Sequence, residues 1–459
     1  MEKGDGMKEQ FRQPAWVIRR MFGAFVLACL LAAAVHMLLA GDTMAEVMAG
    51  VGRICTQSGQ VTKSFFDPSY GDVAGTFLNA ALVSAVCLAL YCLPGAKPDG
   101  VSVLAFFLTA GFCFWGTTIL NIWFSFAGVL VYCVVKKKQP GAMANAFLFS
   151  TGLAPLITEM LFRYPGEDWH GFTALGFVLA LAVGVFIGFV FPAVLVHSPK
   201  MHKGYDLYNA AVPIGLTAFF LRALLYKVFT PAPPVNESVG LSEGMDGTAL
   251  LFCGVVFGLA ILCGLLMGGG RDYGRLLRST GYDTDFGAQT SPAAGVLNFG
   301  VYGVFIVLYY CAVGAVWNAA TLGCVFCMVC CCFKGSHPLN VWPIMVGYVL
   351  ASFLAKFVCG LTGAEFSMAV NAQAIVIGLC FANGLSPVAG VYGWLAGVLF
   401  GMVHYTLVTC VPLLHGAFCL YNGGFTAAFC CFLFVPVLEE FFRPKAERRL
   451  SAGQRPARR

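Results

Sequence analysis

The sequence predicts an all-α, polytopic membrane protein built from two inverted-topology repeats of about seven hydrophobic segments each, with some segments broken or re-entrant. Three observations predict this fold class. The composition is too apolar for a soluble chain, long apolar runs alternate with basic clusters, and several sequence blocks occur twice in the same order. Of the 459 residues, 59% are hydrophobic and 11% are charged, whereas a soluble chain carries roughly a quarter charged residues. A bilayer replaces water as the solvent for such a surface.

Each half of the chain contains seven apolar runs, several of them near the ~20 residues that a helix needs to cross about 30 Å of hydrocarbon. The first seven lie at about 21–40, 74–93, 101–119, 121–135, 143–163, 171–197 and 205–228. The second seven lie at about 248–268, 295–314, 317–333, 339–358, 366–384, 387–411 and 417–438. The first run is interpreted as a membrane helix because it is long for the core of a signal peptide. We predict a first repeat at 1–229, a linker at 230–247, a second repeat at 248–442 and a basic cytoplasmic tail at 443–459.

The charges and cysteines exclude several functional classes. Basic clusters that flank apolar runs are typical of cytoplasmic loops, so the net charge of +6 does not indicate nucleic-acid binding. Most of the 20 cysteines lie inside apolar runs, where they pack as small hydrophobic residues. The cluster from Cys327 to Cys332 has no second pair at a zinc-binding spacing, so no metal is predicted. The chain also contains no phosphate-binding loop, zinc-protease motif or nucleophile elbow, and no cofactor is predicted.

Three sequence blocks recur in the second half. Leu120-Asn121-Ile-Trp123 recurs as Leu339-Asn340-Val-Trp342 at an offset of 219, and holding that offset without a gap aligns ten identities over about fifty positions. Two further blocks repeat at other offsets. Gly152-Leu153-x-Pro155 matches Gly384-Leu385-x-Pro387, and Pro199-x-x-His202-x4-Leu207-Tyr208-Asn209 matches Pro412-x-x-His415-x4-Leu420-Tyr421-Asn422. Repetition of whole blocks in the same order predicts two copies of one structural unit.

The number of crossings in each half predicts the orientation of the two copies. Seven crossings are odd, so the second copy would enter the membrane from the side opposite to the first. If segments 101–119 and 121–135 form a re-entrant hairpin, each half loses two crossings and the number stays odd. The distribution of basic residues then places both termini in the cytoplasm. Inverted repeats of this kind are common among secondary transporters.

Asn121 and Asn340 are candidate solute-binding residues. Each follows a short polar stretch between two apolar runs and is expected to cap the next helix at its N-terminus. Because segment 121–135 is short for a full crossing, the two breaks are expected to meet inside the membrane, where exposed N–H groups suit an anion or a polar solute. The alternative is an ordinary tight turn at the membrane surface.

The second pair of candidates comes from the repeated Leu-Tyr-Asn block. Tyr208 and Asn209 open the seventh segment, and Tyr421 and Asn422 open the fourteenth. Their side chains offer donors and acceptors without charge, and polar groups at membrane depth are costly unless they are partnered or face water. The alternative is a packing motif with tyrosine at the membrane interface.

Ionisable residues in or near the apolar runs supply further candidates. His404 and Glu159 are the better candidates for coupling to a solute or an ion, although neither has an equivalent in the other half. His202, Asp206 and His404 would be the candidate groups of a membrane-embedded enzyme.

The three repeated blocks resemble a family of bacterial membrane proteins known as domain of unknown function 1576. The resemblance covers nearly the whole chain, each half being one copy, and it implies a bacterial cytoplasmic membrane but no activity. The architecture is also loosely similar to that of urea transporters, which have inverted halves. Their Asn-Pro element is not reproduced, because Ile122 and Val341 follow Asn121 and Asn340.

These observations predict a transporter or channel for a small polar or anionic solute, with its pathway at the interface of the two repeats. The lipid bilayer and the solute are the expected partners, and a homo-oligomer is a further option. Two alternatives are an enzyme acting on a lipid-linked substrate and a non-catalytic subunit of a membrane complex. An enzyme is expected to depend on one unpaired His or Asp, whereas a pore should depend on both halves.

Overall fold

The computed structural model describes residues 13–57, 64–68, 70–230 and 246–447, and these residues form helices and turns without a β-strand. The helices of the first half are α1 (Pro14–Ala40), α2 (Met44–Gln57), α3 (Val73–Cys92), α4 (Gly100–Phe112), α5 (Ile122–Val135), α6 (Ala144–Ser150), α7 (Ala154–Phe162), α8 (Ala174–Leu195), α9 (Ser198–His202) and α10 (Ala211–Ala223). Those of the second half are α11 (Asp246–Leu266), α12 (Gly270–Leu276), α13 (Phe286–Gln289), α14 (Pro292–Ala312), α15 (Ala319–Val329), α16 (Pro338–Thr362), α17 (Gln373–Ala382), α18 (Ser386–Tyr392), α19 (Trp394–Leu407), α20 (Val411–Leu414) and α21 (Asn422–Phe441). The predicted all-α class is confirmed.

Ten helical stretches of the described residues are long and apolar enough to cross a membrane, by length and composition. They are Pro14–Ala40, Val73–Cys92, Pro140–Phe162, Ala174–Leu195, Ala211–Phe229, Gly247–Leu266, Pro292–Ala312, Pro338–Thr362, Gln373–Tyr392 and Asn422–Glu447. Large apolar side chains face outward along them, and Leu31, Leu259 and Phe353 are each more than half exposed. Lipid tails are the solvent for apolar surface of this extent. The chain is therefore a multi-pass membrane protein.

One predicted boundary between apolar runs is wrong. The sequence predicts separate runs at 366–384 and 387–411, but the chain continues from α17 through a 3₁₀ turn at Asn383–Leu385 into α18, and it turns only at Gly393. Gly393 has a φ of 115°, which favours glycine. The proline at 387 starts a new helix inside this stretch instead of ending it. Most of the predicted linker 230–247 and of the basic tail 443–459, and the first twelve residues, lie outside the described residues.

Corresponding helices in the two halves begin with corresponding caps. The side chains of Asp72 and Ser291 accept from the backbone N–H three residues on, at the start of α3 and of α14. In the same way Asp99 caps α4 and Asn318 caps α15, with distances of 3.0 Å and 2.9 Å to the accepted N–H groups. Caps of this kind satisfy N–H groups that have no partner within the helix. Both cap pairs are separated by the offset that aligns the repeated blocks.

The turns after α4 and α15 are held by two asparagines that also match at this offset. Nδ2 of Asn79 donates to the carbonyl oxygens of Cys113 and Thr117, at 3.1 Å and 3.0 Å. In the second half, Nδ2 of Asn298 donates to Cys332 and Ser336 at 2.7 Å and 2.9 Å. Asn79 lies six residues after the start of α3, about 9 Å along its axis. The turn after α4 therefore lies about 9 Å short of the N-terminal end of α3.

Helices α4 and α5 form a hairpin whose first and last residues both lie at the C-terminal end of α3. Helix α4 starts eight residues after α3 ends, and the residues after α5 return to that place. A methyl group on Gly141 would lie 2.9 Å from the carbonyl oxygen of Leu93 and would overlap that of Pro94. The chain thus leaves and returns at the same end of α3, which is the chain path of a hairpin. That this hairpin is re-entrant in a membrane stays a prediction.

Helices α4 and α15 lie side by side at the centre and run in opposite directions. The N–H of Gly100, at the start of α4, donates to Asp285 of the second half at 2.9 Å. The N–H of Ala319, at the start of α15, donates to the Ser64 hydroxyl of the first half at 3.1 Å. Midway, the Cys327 thiol donates to the carbonyl oxygen of Leu108 at 3.5 Å. Every residue of α4 except Val101, and every residue of α15, is buried.

Candidate functional site

The two halves exchange segments at the centre of the protein. The N–H of Leu207 donates to the carbonyl oxygen of Gly384 at 3.1 Å, and the N–H of Leu420 donates to that of Gly152 at 2.9 Å. Each bond joins the repeated Leu-Tyr-Asn block of one half to the repeated Gly-Leu-x-Pro block of the other. We call residues 198–209 and 411–422 the exchanged segments. Their tips lie against the 3₁₀ turns Thr151–Leu153 and Asn383–Leu385, where two membrane-spanning stretches are broken.

The repeated glycines make room for the tyrosine rings of the opposite half. A methyl group on Gly152 would overlap the ring of Tyr421, and one on Gly384 would lie 2.6 Å from the ring of Tyr208. Both tyrosine side chains are fully buried. Pro155 and Pro387 then occupy the first turns of α7 and α18, where proline needs no N–H partner. In each Gly-Leu-x-Pro block, the glycine thus makes room for a tyrosine ring of the other half, and the proline lies in the first turn of the next helix.

Tyr208 is held by a dense network of hydrogen bonds. Its hydroxyl shares its proton between the carbonyl oxygen of Cys327 and Oδ1 of Asn383, each 2.7 Å away. Nδ2 of Asn383 donates to the carbonyl oxygen of Met328 at 2.7 Å and to the Tyr302 hydroxyl at 3.0 Å. Buried polar groups that are fully paired in this way fix one arrangement of the surrounding helices. The network ties α14, α15 and the 3₁₀ turn at Asn383 to the first exchanged segment.

Tyr421 occupies the corresponding place without such a network. Its ring centroid lies 5.3 Å from that of Phe112 and 6.2 Å from that of Phe381. The ring of Tyr208 also contacts Phe381, with the two centroids 5.0 Å apart. Its hydroxyl has no hydrogen-bond partner among the described residues. The counterpart of Asn383 in the first half is Thr151, whose hydroxyl donates to the carbonyl oxygen of Leu148 at 2.7 Å. Tyr421 therefore keeps a free donor and acceptor in the protein interior.

The two repeated histidines have different hydrogen-bond partners. Nδ1 of His415 lies 2.6 Å from Oδ1 of Asn422, within the second exchanged segment. Nδ1 of His202 instead accepts from the N–H of Gly204 at 3.2 Å. Both histidine side chains are buried, so each lies inside the protein within its exchanged segment.

Buried polar atoms without partners concentrate in the exchanged segments. Within the described part of the chain, these include Oγ of Ser198, Oδ2 of Asp206, Nε2 of His415 and the hydroxyl of Tyr421. Asp206 is 2% exposed, and its other oxygen accepts from the N–H of Tyr208 at 3.0 Å. An unpaired buried polar group costs about 1–3 kcal/mol and calls for a ligand, an ion or water. A polar solute between the halves would supply such partners.

Asn121 and Asn340 close the turns of the two hairpins. Their Oδ1 atoms accept from the N–H groups of Thr118 and His337, three residues earlier, at 2.8 Å and 2.9 Å. Their Nδ2 atoms donate to the carbonyl oxygens of Gly116 and Gly335 at 3.0 Å and 2.8 Å. For Asn121 the expected N-terminal capping is thus wrong, because its amide bonds backward to the turn and makes no cap hydrogen bond to α5. Asn340 is the third residue of α16 and accepts from the backbone N–H of the N-cap residue His337, which is the N3 contact of a capping box at the start of that helix. Both side chains are buried, and their role as solute ligands stays a prediction.

The candidate coupling residues Glu159 and His404 have hydrogen-bond partners within the protein. The Tyr226 hydroxyl donates to Oε1 of Glu159 at 3.0 Å, and Arg163 lies 3.9 Å from the other oxygen. The ring of His404 is bonded on both sides, by the Tyr348 hydroxyl at 2.6 Å and the carbonyl oxygen of Gly423 at 2.8 Å. The His404 ring is therefore a bridge from α16 to α21.

Sequence reasoning missed Asn383. It lies inside an apolar run and has no asparagine counterpart in the other half, so the search for repeated polar residues passed over it. A polar residue in the middle of a membrane-spanning stretch is itself a signal of function, and that signal was present. By contrast, the sequence predicts Tyr208 and Tyr421 as site residues, and each lies against a glycine of the other half. A role of these tyrosines, of Asn209 and of Asn422 in binding a solute stays a prediction.

The comparisons with known proteins give a family but no activity. No curated protein and no solved structure matches the chain. The model of one family, described as a protein of unknown function (DUF1576), matches residues 43–227 and 270–440, which are most of the chain and include all the repeated blocks. The chain belongs to this family of unknown function.

Proposed function

We propose that the protein is a transporter or channel for a small polar or anionic solute, with its pathway at the contact between two inverted repeats. The observation that carries this proposal is the reciprocal exchange of the Leu-Tyr-Asn segments. It brings two broken membrane-spanning stretches, two buried tyrosines and several unpaired polar atoms to one place. Irregular backbone at membrane depth is tolerated only where it is buried in protein or lines a cavity.

The opposite directions of matching helices support the inverted arrangement. Helix α4 runs antiparallel to α15, and α1 runs antiparallel to α11, since Trp16 at the start of α1 shares a groove with Met267 beyond the end of α11. Transporters with inverted repeats bind their solute near the middle of the bilayer, at the repeat interface and next to broken helices. We extend the proposal to a bacterial cytoplasmic membrane with both termini in the cytoplasm.

A polar solute would be bound by the unpaired groups of the exchanged segments. Tyr421 offers a hydroxyl that no described residue uses, and Asp206 offers one carboxyl oxygen. The start of α21 at Asn422 adds backbone N–H groups at the same place. Tyr208, whose hydroxyl is fully engaged, would hold the opposite wall in position.

Solute flux in proteoliposomes tests the proposal. Purified protein is reconstituted and light scattering is followed after osmotic shock with neutral solutes and with anions, in the presence and absence of proton and sodium gradients. Flux above that of protein-free vesicles is expected for at least one class of small polar solute. Folded protein that carries no solute under any gradient would contradict the proposal. The enzyme and subunit alternatives would then come first.

A further inference from the structure

A groove between α1 and α11 is open to the lipid and almost wholly apolar. Its volume is about 450 Å³, and its walls carry the small residues Ala24, Ala28 and Ala260. Phe25, Phe107, Phe299 and Val296 also line it. Helices α1 and α11 are the least buried of the ten candidate spans, with 22% and 28% of their apolar windows inside the protein. These small side chains leave the groove open, whereas larger side chains would fill it.

The groove has the length of one lipid leaflet. Along α1 it runs from Trp16 to Ala28, twelve residues, which is about 18 Å at 1.5 Å per residue. Half of a hydrocarbon core of about 30 Å is ~15 Å. A single acyl chain, extended from the interface to the middle of the bilayer, fits this length.

One end of the groove carries a positive charge. The guanidinium of Arg20 lies 5.1 Å from the centroid of the Trp16 ring. No carboxylate of the described residues lies within ion-pair distance of Arg20, and its side chain is exposed. Tryptophan and arginine are typical of the membrane interface, and a guanidinium binds phosphate through paired hydrogen bonds. The head of a lipid whose tail lay in the groove would therefore meet a cation.

A second groove between the same helices lacks this charge. It measures about 370 Å³ and adjoins the first groove at Ala24, Ala28, Val255 and Leu259, which line both. It continues along α1 to Val35 and His36, opposite Thr248 and Leu251 of α11. The His36 ring stacks on Phe77, with the ring centroids 6.0 Å apart, and no lysine or arginine lines this groove. Because only the first groove is lined by an arginine, we expect the anionic lipid head to bind in the leaflet that contains Arg20.

We propose that the groove between α1 and α11 binds an anionic phospholipid, with one acyl chain against Phe25 and Ala28 and the phosphate on Arg20. This proposal concerns the outer surface of the protein and does not depend on the transport function. Anionic lipids bind basic pockets between membrane helices in this manner. The chain is expected to select phosphatidylglycerol over phosphatidylcholine at this site.

Native mass spectrometry of the purified full-length protein tests the site. The detergent-solubilised protein is titrated with phosphatidylglycerol or phosphatidylcholine, and bound lipid is counted. Arg20→Gln is expected to reduce the preference for phosphatidylglycerol about tenfold, whereas Arg278→Gln, at an exposed arginine that does not line the groove, should leave it unchanged. An unchanged preference in Arg20→Gln would overturn the assignment of the head group.

A groove-filling variant tests the position of the tail. Ala28→Phe is expected to reduce the binding of both lipids, and Ala32→Phe, which lines only the second groove, should preserve the preference for phosphatidylglycerol. Lipid binding that survives in Ala28→Phe would overturn the groove as the site. A change of oligomeric state in Ala28→Phe, seen in the same spectra, would instead identify a second copy of the chain as the occupant and also overturn the proposal. Melting temperatures of all variants establish that they are folded.

Discussion

The thiol of Cys327 donates to the carbonyl oxygen of Leu108 at 3.5 Å, and the two residues are 219 positions apart. That separation is also the offset at which Asn79 matches Asn298 and Asn121 matches Asn340. In two repeats related by a two-fold axis, residues at matching positions touch each other only close to that axis. In the proposed inverted arrangement this hydrogen bond therefore marks the axis, and Tyr208 donates to the carbonyl oxygen of the same Cys327.

The close contact between Gly152 and the ring of Tyr421 predicts an effect on stability. Gly152→Ala would place a methyl group against the buried ring of Tyr421, so we expect a loss of about 1–3 kcal/mol, as for overpacked cores. Gly254→Ala is the matched control, because no atom outside its own helix lies within 4 Å of the added methyl group. The melting temperature in detergent should fall for Gly152→Ala and stay level or rise slightly for Gly254→Ala. Equal melting temperatures would contradict the tight contact.

The asparagines that hold the hairpin turns predict a second effect. Asn79→Ala would leave the carbonyl oxygens of Cys113 and Thr117 without the donor that they share, at a cost of roughly 1–3 kcal/mol for each buried group. Asn298→Ala should cost a similar amount. Asn371→Ala, at an exposed residue with a single bond of 3.3 Å, is the control and should be close to neutral. Thermal unfolding measures all three, and a neutral Asn79→Ala would show that the turn is not held in this way.

The proposed inverted arrangement of the two halves predicts where reporters will lie. A reporter fused after Lys137, which follows α5, and one fused after Thr362, at the end of α16, should lie on opposite sides of the membrane. Paired fusions to a phosphatase that is active only outside the cytoplasm and to a fluorescent protein that folds only inside it measure this. Reporters on the same side would exclude the inverted arrangement while leaving the observed contacts intact.

The bridge made by His404 predicts a structural requirement. His404→Phe would remove the partners of the Tyr348 hydroxyl and of the Gly423 carbonyl oxygen, so a loss of about 1–3 kcal/mol is expected for each unpaired group. His404→Gln keeps a donor and an acceptor on a flexible side chain and should restore part of the stability. If both variants melt at the temperature of the parent protein, His404 has no structural role. That result would favour its predicted role in coupling to a solute or an ion.

The membrane class and the repeated blocks could be predicted from sequence because composition and spacing are local properties. The Gly-Leu-x-Pro and His-x4-Leu-Tyr-Asn blocks were both visible, and yet nothing in their spacing tells that Leu207 would pair with Gly384 of the other half. That contact depends on how helices pack, which a one-dimensional pattern does not carry. The capping expectation for Asn121 failed for a related reason: the side chain found backbone partners in the preceding turn, and the competing bonds are as short as a cap would be.

A comparison of two tyrosine variants tests the central claim most directly. Tyr421→Phe removes a hydroxyl with no partner among the described residues, whereas Tyr208→Phe removes one that is engaged with Cys327 and Asn383. Solute flux in proteoliposomes is measured together with the melting temperature of each variant. If the solute binds between the exchanged segments, Tyr421→Phe should keep its melting temperature and lose about tenfold in flux, and Tyr208→Phe should lose stability by about 1–3 kcal/mol. Full flux in a normally folded Tyr421→Phe would contradict a solute pathway at this place.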